Sequence, residues 1–309
     1  DATQDLAVIG HRLLAWYERH QRDLPWRQRQ DPYAVWVAEI MLQQTRVETV
    51  ISYYQRFLER FPTLEALAQA PLDDVLKAWE GLGYYARARN LHRAARRVVQ
   101  ELNGRLPPRS EDLSRLPGVG QYTAAAIASI AFGQDAVALD GNLRRVLCRL
   151  FGIDDDPGRT NTQRRLAELA EAMLPSGHAG DFNQALMDLG ATICVPSNPQ
   201  CLLCPLMGSC GAQQEGIQNE LPIRATRSHR PHRDVTAGVI WDDQGHLLIT
   251  KRPLDGLLGG LWEFPGGKRR PGEALPTCLQ REIDEELAIR IEVGDLLLTI
   301  EHVFTHFSM

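Results

Sequence analysis

Residues 116–142, LPGVGQYTAAAIASIAFGQDAVALDGN, decide how the rest of the chain is read. Pro117 ends one helical run, and Gly118 and Gly120 permit a tight turn whose backbone N–H groups point outward. A turn of that kind can clamp a phosphate. The run from Tyr122 to Phe132 is built on small residues (Ala124, Ala125, Ala126, Ala128, Ser129, Ala131). That predicts a helix packed closely against its neighbours, with its positive end facing an anion. Apolar residues 136–139 then lead into Asp140, which puts a carboxylate at the mouth of a further helix, close to the clamp. The stretch thus holds a phosphate chain at one end and supplies a reactive acid at the other.

Outward from there, the N-terminal part reads as helix throughout. Residues 4–20 carry Leu6, Ile9, Leu13, Leu14, Trp16 and Tyr17 at helical period, and residues 47–102 continue it with breaks near Pro62, Pro71 and Gly81. Residues 162–192 add two more helices. Glu39 lies inside an apolar run where a carboxylate would ordinarily be excluded. Burial would raise its pKa and make it a candidate general acid; a buried Glu–Arg pair is the alternative. The break GLGYYARAR at 81–89 sets Leu82 and Tyr84 beside an arginine-rich helix, which suits either side-chain insertion where a nucleotide is flipped out or an ordinary helix cap.

The chain has 309 residues, 44% hydrophobic and 24% charged, enough for two domains with sizeable cores. No apolar run is long enough for a bilayer and no signal pattern opens the sequence, so a membrane class is excluded. The formal net charge of -5 opposes a nucleic-acid partner, so any such binding must come from local clusters. Three are visible: Arg87, Arg89, Arg93, Arg96 and Arg97; Arg144, Arg145 and Arg149; and Arg224, Arg227, Arg230 and Arg233. Each by itself reads more readily as a solvated face. Of six cysteines, Cys194, Cys201, Cys204 and Cys210 fall within a short stretch spaced x6, x2, x5, a metal-ligand pattern in a chain without secretory signals. Zinc and an iron–sulfur cluster both take four thiolates, and spacing leaves the two open. Cys148 and Cys278 stand alone and read as small core residues.

These features resemble the helix-hairpin-helix base-excision DNA glycosylases related to endonuclease III, and within them the MutY-type adenine glycosylases. The resemblance spans essentially the whole chain. It rests on the opening stretch, on LPWR at 24–27, EIMLQQT at 39–45, GLGYYARARN at 81–90 and the cysteine set. It implies that Gly118, Val119 and Gly120 bind DNA phosphate, and that Glu39 protonates adenine. It also implies that Asp140 stabilises the sugar oxocarbenium with support from Tyr122 and Asn142. Arg27 and Gln184 would line the base pocket, Gln44, Leu82 and Tyr84 would enter the base stack, and the four clustered cysteines would hold a 4Fe-4S cluster. Bifunctional members carry a Lys nucleophile where this chain has Tyr122, and Arg144 stands where members often have Lys. A monofunctional enzyme is therefore expected. The implied partner is double-stranded DNA with adenine opposite 8-oxoguanine or guanine, met by a cytoplasmic, nucleoid-associated monomer. A bifunctional pyrimidine glycosylase and lyase of the endonuclease III type is the competing reading.

The expected architecture is multi-domain. Residues 1–212 form an all-α helix-hairpin-helix glycosylase domain with its iron–sulfur loop, 213–234 a basic linker, and 235–309 a partial α+β Nudix-like domain. Beyond the linker, residues 236–241 and 246–251 read as strands around the turn at Asp242–Gly245. Gly267, Glu273, Arg281, Glu282, Ile283, Glu285 and Glu286 follow the Nudix box, departing at Ala288 where the box has Gly. Glu282, Glu285 and Glu286 share one helix face that could bind Mg²⁺. Resemblance favours a catalytically silent module in which Phe304, Thr305 and His306 read 8-oxoguanine, with an active pyrophosphohydrolase as the alternative. The domain is expected to be incomplete where the chain stops at Met309, and the start at Asp1 to be trimmed.

Overall fold

The structure is a computed structural model describing residues 2–29, 31–223, 230–254, 256–304 and 307–309, apart from the side chains of residues 2–5. It divides into two compact units, 1–225 and 226–309. Unit 1 is helical: α1 (Ala2–His20), α2 (Pro32–Leu42), α3 (Val47–Arg60), α4 (Leu64–Gln69), α5 (Leu72–Ala78), α6 (Ala86–Glu101), α7 (Ser110–Leu113), α8 (Gln121–Phe132), α9 (Gly141–Leu150), α10 (Thr160–Met173), α11 (Ala179–Thr192) and α12 (Gly211–Gln214). No helix among the described residues is long and apolar enough to cross a membrane.

The unit has two halves. Helices α2 to α8 make one, with α2 packed on α3 and α8 and with α4 on α6. The chain then returns, and α9, α10 and α11 close with α1 over a core that includes Leu13, Tyr17, Leu147, Leu166, Phe182 and Leu189. Helix α2 is apolar all round, with Tyr33 through Met41 buried, so it takes an interior place rather than a surface one. Asp31 caps it by accepting the Ala34 N–H at 2.9 Å, and Pro32 pre-sets the first turn. Such burial is worth keeping: truncating the fully buried Trp36 or Phe57 to Ala would cost about 3–5 kcal/mol.

Helix α11 joins the halves because its glycines permit close crossings. A Cβ on Gly180 would sit 2.9 Å from the Ser129 carbonyl of α8, and one on Gly190 would sit 2.9 Å from Asn142 Cβ of α9. Asn183, between them and fully buried, donates to Ser129 Oγ at 2.9 Å and the Ala136 carbonyl at 2.8 Å while accepting from the Ala138 N–H at 3.0 Å. That pins the loop delivering Asp140.

Members of two basic clusters turn inward, while Arg93, Arg96 and Arg97 stay exposed. Arg87, Arg145 and Arg149 are buried, and their guanidinium N–H groups donate largely to backbone carbonyls at helix ends and loops. The segment expected to be linker is also partly structured: α12 follows Cys210, and Leu221 is buried with its carbonyl accepting from Arg149 Nε at 2.8 Å. Arg224 and Arg227 lie outside the described residues.

Unit 2 carries one long helix, α13 (Leu275–Leu287), and an antiparallel pair, β1 (Thr250–Lys251) with β2 (Trp262–Glu263). The hairpin expected around Asp242–Gly245 is present: Leu248 N–H donates to the Ile240 carbonyl at 2.9 Å, and Asp242 Oδ1 accepts the Gln244 and His246 N–H groups at 2.9 and 2.7 Å. Regular strand is shorter than the alternation suggested, because Trp241, Ile249 and Trp262 stay exposed and give the pleated surface little to pack on.

Candidate active site

The hairpin of the opening stretch is α7, the turn 114–120 and α8. Gly118 adopts φ +76°, and a Cβ there would lie 2.6 Å from Asn90 Cβ of α6, so only glycine fits. Val119 is buried beneath the turn while Gly118 and Gly120 are exposed. No side chain caps the N-terminus of α8, so its first amides face outward without an internal acceptor, the arrangement that suits a phosphate.

Behind the hairpin, a cleft is lined by Arg22, Leu24, Trp26 and Arg27 from the turn after α1, Ala38 and Glu39 from α2, and Gln184 and Met187 from α11. Three residues singled out separately in the sequence, Arg27, Glu39 and Gln184, thus share one cleft. Glu39 is 4% exposed. Burial, and to a lesser degree the nearby Asp140, push its carboxyl up to about 7, against the opposing hydrogen bond from Tyr122 and the charge of Arg27. The Tyr122 hydroxyl donates to Glu39 Oε2 at 3.2 Å, whereas the sequence reading aimed it at Asp140. Burial raises the Tyr122 phenol well above its ordinary value, so it remains a donor.

Asp140 is the N-cap of α9 and accepts the Leu143 N–H at 2.7 Å. Burial raises its carboxyl, but the amides of Leu143 and Asn142 and the charges of Arg145 and Arg144 oppose that rise. Asn142 therefore supports Asp140 through its backbone, while its side chain accepts from Arg145 Nη2 at 2.9 Å. The site pairs a carboxyl whose hold on its proton is strengthened by burial with one supplied with donors at a helix mouth. Divergent environments of this kind separate an acid from an electrostatic stabiliser.

Of the residues expected to enter the base stack, Leu82 and Tyr84 meet at Arg87, which also donates to the carbonyl of Gln43, next to Gln44. Its guanidinium donates to the Met41 carbonyl at 2.8 Å at the end of α2 and to the Gly83 carbonyl at 3.0 Å, with the Tyr84 ring 5.4 Å away. Tyr84 (φ +48°) and Gln44 (φ +57°) are exposed and left-handed, a conformation costing about 1–3 kcal/mol that tends to collect at functional surfaces. Leu82 is buried, so acting as a wedge would require it to leave the core.

Cys194, Cys201, Cys204 and Cys210 converge beyond α11. Burial pushes Cys204 up to about 11 and raises Cys201 and Cys210, and the neighbouring thiols add to each rise. Among the described residues no three His, Cys, Asp or Glu side chains take the spacing of a single bound ion. Beside the thiols lies Arg149, 2% exposed, with Nη1 donating to Cys194 Sγ at 3.4 Å and its carbonyl accepting from Cys210 Sγ at 3.3 Å. Four soft donors beside one buried cation fit a group held by thiolates and carrying net negative charge.

In unit 2, Phe304 stacks on Phe307 at 4.8 Å and meets His302 edge-on at 4.5 Å. Thr305 and His306 lie outside the described residues. The Nudix-box carboxylates are engaged by Arg281, which bonds Glu273 at 2.7 Å, Glu282 at 2.7 Å and Glu285 at 3.0 Å.

A hairpin of short helices, an uncapped helix N-terminus and an acid pocket opposite a helix-capping Asp define a helix-hairpin-helix protein of base excision DNA repair. The model of that superfamily (HhH-GPD superfamily base excision DNA repair protein) matches residues 37–172, and a NUDIX domain model matches 236–309. More narrowly, the chain belongs to the adenine DNA glycosylase family. It is 41% identical to the adenine DNA glycosylase of Homo sapiens, covering 94% of this chain and 64% of that protein. It is 38% identical to that of Mus musculus, covering 99% and 70% respectively, and the chain therefore spans about two thirds of the length of these relatives. A thermostable thymine-DNA glycosylase superposes with a TM-score of 0.64 at 34% identity, over 70% of this chain and 100% of that one. A non-covalent endonuclease III–DNA complex superposes with a TM-score of 0.59 at 22% identity, over 70% and 98%, a likeness of fold.

Sequence reasoning missed Arg22, Asn183 and Asp188. Asp188 accepts from Arg27 and Arg22 at 2.7 Å each, yet in sequence it is one acidic residue in an ordinary amphipathic helix.

Proposed function

We propose that the protein hydrolyses the N-glycosidic bond of adenine paired with 8-oxoguanine or guanine in duplex DNA, acting as a monomer on nucleoid DNA. The observation that carries this is Glu39, a carboxyl in a dry cleft whose pKa is brought to about 7, within reach of a second, donor-supplied carboxylate. The hairpin amides of Gly118, Val119 and Gly120 hold the phosphate backbone, and Gln44 and Tyr84 occupy the space left in the stack, joined by Leu82 if it turns outward. Extruded adenine enters between Arg27, Glu39 and Gln184. Glu39 gives its proton to a ring nitrogen, which makes the base a neutral leaving group. As the bond to C1′ breaks, positive charge develops on the sugar and Asp140 stabilises it; water then adds to C1′ and loses its proton.

Cys194, Cys201, Cys204 and Cys210 would hold a 4Fe-4S cluster, with Arg149 offsetting its charge, and the cluster would supply a fixed anchor for the loop 194–210 beside α9. In unit 2, Phe304, Thr305 and His306 would read the O8 and N7–H that distinguish 8-oxoguanine from guanine. The domain assignment proposed is 1–212 for glycosylase and iron–sulfur loop, 213–234 for the linker and 235–309 for the Nudix-like part.

Single-turnover excision on duplexes with adenine opposite 8-oxoguanine, guanine or thymine tests the reading, together with Glu39→Gln. That variant should lose at least ~10²-fold in rate while still binding DNA, the scale general acid catalysis supplies. Near-native turnover by Glu39→Gln would end the proposal. Borohydride added during turnover should trap little adduct, because Tyr122 offers no amine at the lysine position; abundant trapping would favour the bifunctional reading.

A further inference from the structure

Asp188 is a carboxylate with 1% of its side chain exposed, facing two guanidinium groups at the rim of the base pocket. Its Oδ2 and Oδ1 accept from Arg27 Nη1 at 2.7 Å and Nη2 at 2.9 Å, a two-pronged pair that fixes the plane of the guanidinium. The same carboxylate accepts from Arg22 Nε at 2.7 Å and the Arg22 N–H at 3.2 Å. One turn earlier on α11, Gln184 Oε1 accepts from Arg27 Nε at 3.0 Å. The far side of Arg27 lies over the Tyr17 ring, 5.3 Å from its centroid. Arg27 is thus held at Nε, at both terminal nitrogens and over one face of its guanidinium.

Three groups from other elements act on Glu39. Tyr122 of α8 donates a hydrogen bond, Asp140 at the start of α9 contributes a like charge, and Arg27 contributes an opposite one. Arg27 is the cation among them, and Arg22 lines the same cleft. Two unbalanced arginines would favour the ionised form of any carboxyl in that cleft. Burial pulls Asp188 up, but the bonds and charge of Arg27, joined by Arg22, hold it below the ordinary Asp value, so it stays anionic.

We propose that Asp188 sets both the charge and the aim of the base pocket, fixing Arg27 so that Nε meets Gln184 and offsetting the positive charge that Arg27, beside Arg22, brings to the cleft of Glu39. It is a positioning residue, acting through Arg27 and never touching the base. The inference rests on the reading of Glu39 as the general acid.

The test is the pH profile of single-turnover adenine excision for the full chain and for Asp188→Asn, Arg22→Met and Glu39→Gln. With Asp188→Asn the pH at which activity falls on the alkaline side should move down by about half to one unit, the scale of a nearby charge change. The loss should then be about three- to tenfold larger above that midpoint than below it. Arg22→Met, which removes the more exposed of the two cations and leaves Asp188 to balance Arg27 alone, should move the midpoint the opposite way. This second variant keeps the test decisive if Asp188→Asn does not fold. Equal loss at every pH, or midpoints that stay in place, would reduce Asp188 to a packing role and overturn the proposal. An active Glu39→Gln would instead sink the general-acid reading itself, while an inactive Glu39→Gln with unmoved midpoints would sink only this inference.

Discussion

The two units hold two sets of carboxylates that chemistry treats in opposite ways. In unit 1, Glu39 is enclosed by apolar side chains and rises to about 7. In unit 2, Glu273 sits against Arg281 and the Arg270 N–H and is lowered to about 2, chiefly by the Arg281 hydrogen bond. In sequence Glu39 stands alone in an apolar run, whereas Glu273, Glu282, Glu285 and Glu286 fall in a charged cluster. The difference teaches that a carboxylate becomes a proton donor where water is removed and the nearest cation stays out of bonding reach, and a structural counter-ion where an arginine bonds to it. The near-intact Nudix box is thereby consistent with a silent module: its arginine already engages Glu282 and Glu285, two of the three carboxylates on the face that could bind Mg²⁺.

The sharpest way to break that comparison is at Asp140. Asp140→Asn keeps the cap geometry but removes the charge facing the sugar, and should slow excision by about 10²–10³-fold at every pH, with duplex affinity retained. Single-turnover kinetics beside a binding titration would show it; a native-like rate would mean the helix mouth plays no part in the chemistry.

The pH dependence of the native chain comes next. Glu39 has a raised pKa, so its proton is present below about 7 and lost above it, and excision should decline about tenfold per unit on the alkaline side. A rate that climbed with pH instead would make the buried carboxyl a base and invert the assignment.

Tyr122→Phe sharpens the same point with a smaller effect. The phenol donates to Glu39 and favours its ionised form, so deleting the hydroxyl should shift the alkaline midpoint upward by about half a unit, read from the same profile. The smallest effect on repair is expected in unit 2. Arg281→Met should lower the thermal transition of that unit, followed by calorimetry, yet leave excision opposite plain guanine within about twofold, as expected if the chemistry belongs to unit 1 alone. Added Mg²⁺ should not move the native transition; a clear upward shift would show that the carboxylates are free to bind it after all.

Much of the helical unit was legible because its signals are local. Glu39 is an anomaly within its own helix, Asp140 announces itself as the cap of the next one, and Gly118 of the hairpin marks a backbone that only glycine can follow. What stayed hidden depends on direction and distance. The clusters around Arg87, Arg145 and Arg149 show charge in the sequence but not which way it faces, and the three named residues face inward, toward carbonyls left open at helix ends and loops. Asp188 and Asn183 acquire meaning only from partners brought by the fold, Arg27 for one and Ser129 with the loop before Asp140 for the other. In unit 2 the turn at Asp242 was readable, since its Asp bonds its own neighbours, whereas strand length was not, since it depends on what covers the exposed faces.

The chain leaves one half of unit 1, builds the other, and comes back, and this has a consequence for how the pocket comes into being. Arg27 and Asp188 are 161 residues apart, and Arg27 and Gln184 are 157 apart. During synthesis the turn carrying Arg27 emerges early and has no counter-charge until α11 follows. Helices α2 to α8 can meet through nearer neighbours, but α1 must wait for α9, α10 and α11 before its apolar face is covered. Closing so long a loop is slow relative to local helix formation. A nascent chain halted before α11 would therefore carry the hairpin of α7 and α8 while Arg27 still lacked both Asp188 and Gln184.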